Sequence, residues 1–566
     1  MAAVSNPVPR SLGRVLGLVA FGVLVLALRP PPAAGQTTQL DRGREVYDRW
    51  CASCHGFEGD GLGPAAAWML PRPRDFTRGL YQIRTTAGGA IPTDDDIMRV
   101  INEGMPGTTM PGWEGQLGRG DREAVLAYLK SFYPPFETLA APEPLDFGRT
   151  PRASPERIEE GREFYQSIEC WQCHGDEGRG DGPSAPELED DWGYPIRALD
   201  LTENWRFNGG ETVEDIYRRL RTGLDGTPMP AFQDLVDAGF MTDDQLWNLA
   251  HFVRSLAPEQ RPRVREVIRA DRREPGELPA SVDAEDWSEV EAFWFPLVGQ
   301  IIVPPRWFEP AVHGVWVQAL HDGQEIAFRI SWSDRSESPD PRWMEWQERF
   351  LEVMEPREAG EVEPEARPDQ FVLQFPPTIP EGMDRPYFLM GRGGDPVYQW
   401  RWRSDQDGAE PANAHGIDDI RPLDGRIEAD ARWEEGRWRL LLRRSLEPTG
   451  TGDRLHFETG VSIPIAFFAW DGDHGEDGAR GAISSWYYVH LLEEPPPSVY
   501  VSPLVAFVLT GGLGLFVISR AQRRERRPSE AGEGHELAGS ADTDDRPRTT
   551  DGTDASMGPE ADLGRP

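Results

Sequence analysis

Two stretches of the sequence, Cys51-Ala52-Ser53-Cys54-His55-Gly56 and Cys170-Trp171-Gln172-Cys173-His174-Gly175, repeat one pattern 119 residues apart. The same shift maps Gly107-Thr108-Thr109-Met110-Pro111 onto Gly226-Thr227-Pro228-Met229-Pro230, so each copy carries a methionine 55 residues after its histidine. The 566-residue chain has four cysteines, all within this pattern. A repeat of this length predicts two similar domains in tandem.

The pattern C-x-x-C-H is typical of covalent attachment of c-type haem. The thiols of Cys51 and Cys54, and of Cys170 and Cys173, are at the spacing that reaches the two vinyl-derived positions of one macrocycle. We expect His55 and His174 to be the proximal iron ligands, with Met110 and Met229 on the distal sides, a ligand pair that raises the reduction potential. Met105 is a weaker candidate, because the 119-residue shift places Leu224 at its position.

Other interpretations of the cysteines account for fewer of these residues. A structural zinc site needs four ligands, and no further cysteine is present. A thioredoxin-like redox pair requires neither the following histidine nor a methionine at a fixed distance. His251 lies on the last predicted helix of the second copy, opposite Ala127 of the first, and we interpret it as a surface or packing residue.

Helical patterns flank each motif. Apolar residues at helical spacing predict amphipathic helices over residues 122–132 and 243–256. The sequence therefore predicts two small all-α domains, at residues 36–134 and 156–260, joined by a proline-rich linker over 135–155. The two copies resemble the monohaem class I cytochrome c domain, which implies a compact helical fold that passes electrons at its exposed haem edge.

The sequence from 270 to 498 has a different character. Ile326, Phe328, Ile330 and Trp332 alternate with more polar residues, a pattern typical of a half-buried strand. His321-Asp322-Gly323-Gln324 precedes them as a hairpin turn, in which His321 and Asp322 are predicted to be structural. Similar alternation near 440, 463 and 487 predicts an all-β sandwich domain.

Several motifs of this region are similar to the haem-binding γ subunit of ethylbenzene dehydrogenase and its relatives. They include Trp316-Val317-Gln318-Ala319-Leu320-His321-Asp322-Gly323, Pro396-Val397-Tyr398-Gln399-Trp400-Arg401-Trp402 and Phe468-Ala469-Trp470-Asp471-Gly472. The resemblance implies a β-sandwich with one haem b between its sheets. It also implies electron exchange with a molybdopterin catalytic subunit of the dimethyl sulfoxide reductase superfamily, through an iron–sulfur subunit.

In that family a methionine and a lysine hold the haem b iron. Met390 matches the methionine, but the single lysine of this chain is Lys130, in the first repeat. Arginine, which stands near the expected lysine position, stays protonated and is a poor ligand. Two alternatives remain open: a histidine replaces the lysine, with His474 as first candidate and His415 or His490 behind it, or the domain has lost its haem b.

Two apolar segments bear on the location of the chain. Residues 1–35 have the layout of a signal peptide, with Arg10 and Arg14 before a 14-residue apolar run. Residues 499–519 are long enough to span a membrane as one helix. The arginines that follow indicate the cytoplasmic side, and the polar segment 520–566 is predicted to be a disordered tail. The bulk of the chain would then lie on the periplasmic side of the inner membrane.

The composition narrows the function. With 59 Lys+Arg against 96 Asp+Glu the net charge is −37, which argues against nucleic-acid binding. The leading hypothesis is a non-catalytic electron-transfer subunit that relays electrons between the molybdoenzyme and a soluble cytochrome or quinol oxidoreductase. The alternatives are a dihaem peroxidase-like enzyme and a dihaem cytochrome whose haem-free sandwich binds a ligand or partner.

Overall fold

The computed structural model describes residues 38–140, 142–354, 365–382, 384–448, 450, 454–494 and 498–525. The predicted signal peptide lies outside the described residues, and so does the predicted tail from residue 526 onward. The chain divides after Glu493 into two compact units. The first unit holds both repeats and the β domain, and the second holds one helix.

The first repeat contains four described α-helices, and a fifth begins the linker. They are α1 (Gln39–Trp50), α2 (Ala52–His55), α3 (Asp94–Glu103), α4 (Arg119–Ser131) and α5 (Pro135–Thr138). Thr38 and Thr93 begin α1 and α3 with capping boxes, in which the side chain and the third helical residue satisfy each other's exposed N–H groups. Helix α1 crosses α4 at Gly43, where a Cβ would lie 2.1 Å from the carbonyl oxygen of Ala124.

The second repeat has counterparts of α1 to α4 and one additional short helix before its last helix. Its helices are α6 (Pro155–Ser167), α7 (Trp171–His174), α8 (Val213–Thr222), α9 (Gln233–Asp237) and α10 (Asp243–Ser255). Gly161 has the role of Gly43, since a Cβ there would lie 2.1 Å from the carbonyl oxygen of Asn248. The predicted all-α domains are confirmed, and the predicted terminal helices correspond to α4 and α10.

The two repeats contact each other through buried polar groups. Arg84 of the first repeat is fully buried and donates to the carbonyl oxygen of Thr222, at 2.6 Å, in the second. Its guanidinium also pairs with Asp225 at 2.7 Å, and Arg99 pairs with Asp215 at 2.8 Å. Separating the repeats would leave one charge of such a pair buried without its partner, which is costly. These contacts therefore fix the repeats in one relative orientation.

The β domain contains fourteen described strands. They are β1 (Val267–Arg272), β2 (Phe293–Pro296), β3 (Val298–Gly299), β4 (Gly314–His321), β5 (Glu325–Ser333), β6 (Gln370–Phe375), β7 (Val397–Arg403), β8 (Ala409–Ala414), β9 (Ile420–Pro422), β10 (Glu428–Glu434), β11 (Arg437–Ser445), β12 (Ser462–Trp470), β13 (Ala482–Ile483) and β14 (Tyr487–Leu491). Hydrogen bonds join most of them in the order β10-β11-β5-β4-β1-β14-β12-β6-β7-β8-β9, while β2, β3 and β13 pair to the side.

Strand β12 connects the two halves of the sandwich. Its first half pairs with β14 and its second half with β6, so one strand turns from one layer into the other. Aromatic side chains of the two layers contact one another in stacked and T-shaped pairs. Trp332 stacks on Phe371 with ring centroids 5.0 Å apart, and Phe328 lies 5.8 Å from Trp400. The predicted sandwich is confirmed.

Two details of the β domain differ from the predicted pattern. The alternation around residue 487 predicts one strand over 484–491, whereas β14 begins at Tyr487, and before it the Ser484 hydroxyl accepts the N–H of Phe467 and donates to the carbonyl oxygen of Ser485. The domain also contains helix α11 (Met344–Met354), which buries Trp346 and Phe350 against the rest of the molecule.

In the part of the second unit that the structure describes, one helix is present, α12 (Ser498–Glu525). Its residues Ser498–Arg524 have a mean hydropathy of 2.2 over the most apolar window, and by length and composition they are able to cross a membrane. The helix continues beyond the predicted end at residue 519, because Arg, Ala, Gln and Glu all favour helix. Residues 520–525 are therefore helical and do not belong to a disordered tail.

Candidate haem sites

The second C-x-x-C-H motif opens on one cavity. Cys170, Cys173, His174 and Met229 all line this space, which has a volume of about 440 Å³. Residues that are 59 positions apart along the chain thus face the same space. Its size and its donor set of two thiols, one imidazole and one thioether fit a covalently attached haem with His/Met ligation.

The backbone orients the His174 ring. Its Nδ1 lies 3.1 Å from the carbonyl oxygen of Leu199, which can only accept, so Nδ1 carries the proton. Burial lowers the pKa of His174 and keeps the ring neutral. The lone pair of Nε2 is thereby left for a metal, as is usual for histidine ligands whose other nitrogen donates to a carbonyl.

The first motif has the same local geometry. The Nδ1 of His55 lies 3.0 Å from the carbonyl oxygen of Arg74, and burial lowers the pKa of His55. Tyr47 donates to the carbonyl oxygen of Gly56 at 2.7 Å, as Tyr165 does to that of Gly175 at 2.6 Å in the second copy. The residues of the first site therefore fit the same prosthetic group.

The distal loops support the choice of Met110 over Met105. In the first copy the N–H of Met105 donates to the carbonyl oxygen of Met110, at 3.0 Å. In the second copy Leu224 donates to Met229 in the same way, at 3.2 Å, and both residues line the cavity. Met105 thus occupies the place of an apolar wall residue, and Met110 stays the predicted ligand.

The cavity at the second C-x-x-C-H motif is lined by residues of the first cytochrome repeat, the second repeat and the β domain. Leu70, Gln82 and Thr108 of the first repeat line it together with residues of the second. The β domain contributes Glu309, Ala311, His313, Gly314, Ser333, Asp334, Arg335, Phe350 and Asp471. Sequence reasoning missed these β-domain residues, because no repeat or spacing links them to the cysteine motif.

Met390 has different surroundings. The side chains of the predicted haem c sites are all partly exposed, whereas Met390 is only 1 % exposed and packs in an apolar cluster with Leu389, Val397 and Trp486, among others. Its backbone is left-handed, with φ of 54°. A methionine enclosed on all sides by apolar side chains is a core residue, a role that its flexible thioether suits.

His474 is not placed to pair with Met390. It is fully buried, its Nε2 lies 2.8 Å from the carbonyl oxygen of Glu309, and its Nδ1 lies 3.4 Å from Arg335. Its ring stacks on Trp346, which belongs to another apolar cluster than Met390. Since both ring nitrogens have partners, the residues present do not fit a haem b held by Met390 and His474.

The two other histidines differ in their contacts. The Nδ1 of His490 lies 3.2 Å from the Ser462 hydroxyl. The Nδ1 of His415 is buried without a hydrogen-bond partner among the described residues, and His415 directly follows Ala414, a member of the apolar cluster around Met390. Of the histidine candidates, His415 is thus the one next in the chain to a residue of the Met390 cluster.

Three further residues have structural contacts. His321 is buried and its Nε2 lies 2.9 Å from the carbonyl oxygen of Leu492. Asp322 accepts the N–H groups of Gly276, Gln324 and Glu325, which holds the hairpin turn. His251 is buried, and its Nε2 lies 3.1 Å from the carbonyl oxygen of Pro151. It is therefore a packing residue and not a surface residue.

Comparison with known proteins assigns families to the three parts of the chain. Residues 38–129 match the model for subunit III of cbb3-type cytochrome c oxidase, residues 158–257 match cytochrome c, and residues 284–419 match ethylbenzene dehydrogenase. Two cytochrome domains and an ethylbenzene dehydrogenase-like domain are thereby confirmed. The two cytochrome domains support two covalent haems c.

Individual relatives agree with this assignment. Cytochrome c55X of Paracoccus denitrificans is 34 % identical over 100 residues, which are 18 % of this chain and 77 % of that protein. ORF7 of Haloferax mediterranei, named as a respiratory nitrate reductase haem subunit, is 23 % identical over 248 residues, or 43 % of this chain and 81 % of the relative. These matches identify an electron-transfer haem protein and not a catalytic subunit.

Among solved structures, a chain of the Kuenenia stuttgartiensis reducing HAO-like protein complex Kustc0457/Kustc0458 is 46 % identical. The match covers 38 % of this chain and 96 % of the other, with a TM-score of 0.37.

Proposed function

We propose that this chain, which belongs to the cytochrome c family, is the membrane-anchored haem subunit of a respiratory oxidoreductase complex. Its partners would be a molybdopterin catalytic subunit and an iron–sulfur subunit on one side, and a soluble cytochrome or quinol oxidoreductase on the other. The ethylbenzene dehydrogenase-like domain and the name of the Haloferax relative support the molybdenum partner.

One observation carries the relay role. The cavity of Cys170, Cys173, His174 and Met229 has walls from both cytochrome domains and from the β domain. A haem c with His and Met ligands takes up and releases one electron without binding substrate. Held at this junction, the second haem would exchange electrons with the first haem, while the β domain docks the catalytic partner.

The β domain acts in this proposal as a scaffold without haem b. The packing of Met390 and the two hydrogen bonds of His474 support this choice. At the second haem c site, in contrast, the four predicted groups are all partly exposed on the cavity wall: Cys170, Cys173, His174 and Met229.

Purification of the tagged full-length chain from its native membranes in mild detergent tests the partner assignment. We expect a molybdopterin subunit and an iron–sulfur subunit in the same particle, with molybdenum in about equal amount to this chain. If the purified chain contains no molybdenum, whether it is prepared at low or at high salt, the assignment is contradicted. Peroxide turnover by the same material would favour the peroxidase alternative.

The membrane anchor makes a separate prediction. Helix α12 is predominantly apolar from Val499 to Ile518, and Arg520, Arg523 and Arg524 at its end indicate that this end faces the cytoplasm. A stop codon at position 498 should move the protein from the membrane to the soluble fraction with both haems c attached. Fractionation followed by haem staining checks this, and a truncated protein that still pellets with membranes would contradict it. A stop codon at 526 is the matched control.

A further inference from the structure

The second haem cavity contains a cluster of basic side chains from two domains. Arg197 and Arg206 come from the second cytochrome domain, and His313 and Arg335 come from the β domain. Arg197 interacts electrostatically with Arg206 and Arg335, and His313 interacts with all three. Burial and these arginines lower the pKa of His313 well below its usual value, so three cationic arginines and one neutral imidazole, which can donate a hydrogen bond, lie together at this cavity.

The cations of this cluster have few anionic partners among the described residues. The described hydrogen bond of Arg197 is to the carbonyl oxygen of Pro310, at 3.4 Å, and no described carboxylate lies within 4 Å of it. Arg335 lies 3.7 Å from Asp471, and its Nη1 is buried without a hydrogen-bond partner. The guanidinium of Arg335 is held over the ring of Trp343, at 4.4 Å, which fixes its position.

Acidic groups also line the cavity, among them Asp200, Glu203, Glu309, Asp334 and Asp471. Glu203 lies 3.1 Å from Arg206. Burial raises the pKa of Glu309 to about 7 and raises the pKa values of Glu203 and Asp334. Burial lowers the pKa of Arg197 only to about 10, so this arginine stays charged at neutral pH. The cavity is thus suited to an anion.

A haem attached through Cys170 and Cys173 brings two such anions. Its propionate carboxylates lie on the edge of the macrocycle opposite the thioether-bonded positions, and the guanidinium fork matches a carboxylate with two parallel hydrogen bonds. We infer that Arg335 and His313 of the β domain, with Arg197, bind the propionates of the second haem. The β domain is then part of this haem site. The inference rests on covalent haem at the second motif and goes beyond the proposed partner complex.

A change of charge at Arg335 tests the inference in the full-length holoprotein. Loss of a cation near the haem favours the ferric form, so Arg335→Gln should lower the midpoint potential of the second haem. At a fixed potential its ferric-to-ferrous ratio should rise on the order of tenfold, from the Coulomb energy of one charge at protein-interior separations. Arg335→Lys should restore most of the potential. The second haem is identified in the titration as the component that Met229→His lowers.

Two further variants make the outcome decisive. Arg342→Gln is the matched control, since Arg342 pairs with Asp340 and is 54 % exposed in its side chain. His313→Leu removes a ring that makes no described hydrogen bond, so it should keep the fold while shifting the propionate-bending band of the resonance Raman spectrum. Unchanged potentials in Arg335→Gln and an unchanged band in His313→Leu would overturn the inference. If Arg335→Gln does not fold, His313→Leu decides.

Discussion

Replacement of Cys170 and Cys173 together with alanine is expected to destabilise the whole first unit. Without the covalent haem the cavity of about 440 Å³ loses its filling group. Apolar side chains of the cavity wall, such as Leu201 and Phe207, then lose their packing partner, and about 2 kcal/mol is already a large fraction of the stability of a domain. The variant should therefore be degraded in cells or unfold at a much lower temperature. Haem staining, yield and thermal unfolding measure this.

The matched control removes the first haem through Cys51→Ala and Cys54→Ala. The described contacts of His55 come from its own domain, including Arg74 at 3.0 Å and the ring of Phe76 at 4.6 Å. We expect this variant to keep the β domain and the second haem folded, with one haem c per chain. Equal destabilisation by the two double variants would contradict the central position assigned to the second haem.

The second large effect is expected at the distal methionines. Met229→Leu keeps the volume and removes the thioether, so the second haem should lose its sixth ligand and its high potential. The near-infrared band of methionine-ligated ferric haem should fall by about half, because the first site retains its methionine. Met110→Leu should remove the other half. Redox titration should show one component lowered in each variant.

Met105→Leu is the control that the chain itself provides, since Leu224 holds this position in the second copy. It should leave both the near-infrared band and both potentials unchanged. If the band is lost in Met105→Leu and retained in Met110→Leu, the ligand is Met105, and the assignment of Met110 is contradicted. A gain of peroxide turnover in Met229→Leu is also expected, because the iron becomes open.

Local spacing explains why the sequence alone is enough to predict the residues of the haem c sites. The interval between the two cysteines, the adjacent histidine and the methionine 55 residues on are properties of one small domain, repeated. The hydrogen bond from His174 to Leu199 is not visible in the sequence, because a carbonyl group carries no residue identity. This hydrogen bond depends on the loop that brings Leu199 back to helix α7, which contains His174.

The β domain shows where sequence patterns stop being sufficient. Alternation placed β5 within one residue of its observed ends. The predicted half-buried strand is wrong in one respect, because Ala327 and Ser331 on its second face are buried as well. The role of Arg335 depends on a contact between domains, and no spacing predicts it. Met390 matched a family motif, yet its side chain packs in a closed apolar cluster. A motif therefore identified the family of this domain without fixing the surroundings of the matched residue.

The haem content of the full-length protein tests the central claim most directly. A pyridine haemochrome spectrum, quantified against protein, distinguishes haem c from haem b and can be combined with a redox titration of the same sample. We predict two haems c and no haem b per chain, with two one-electron components. A third, b-type haem would contradict the account, and its loss in His415→Ala or Met390→Ala but not in His474→Ala would then locate it.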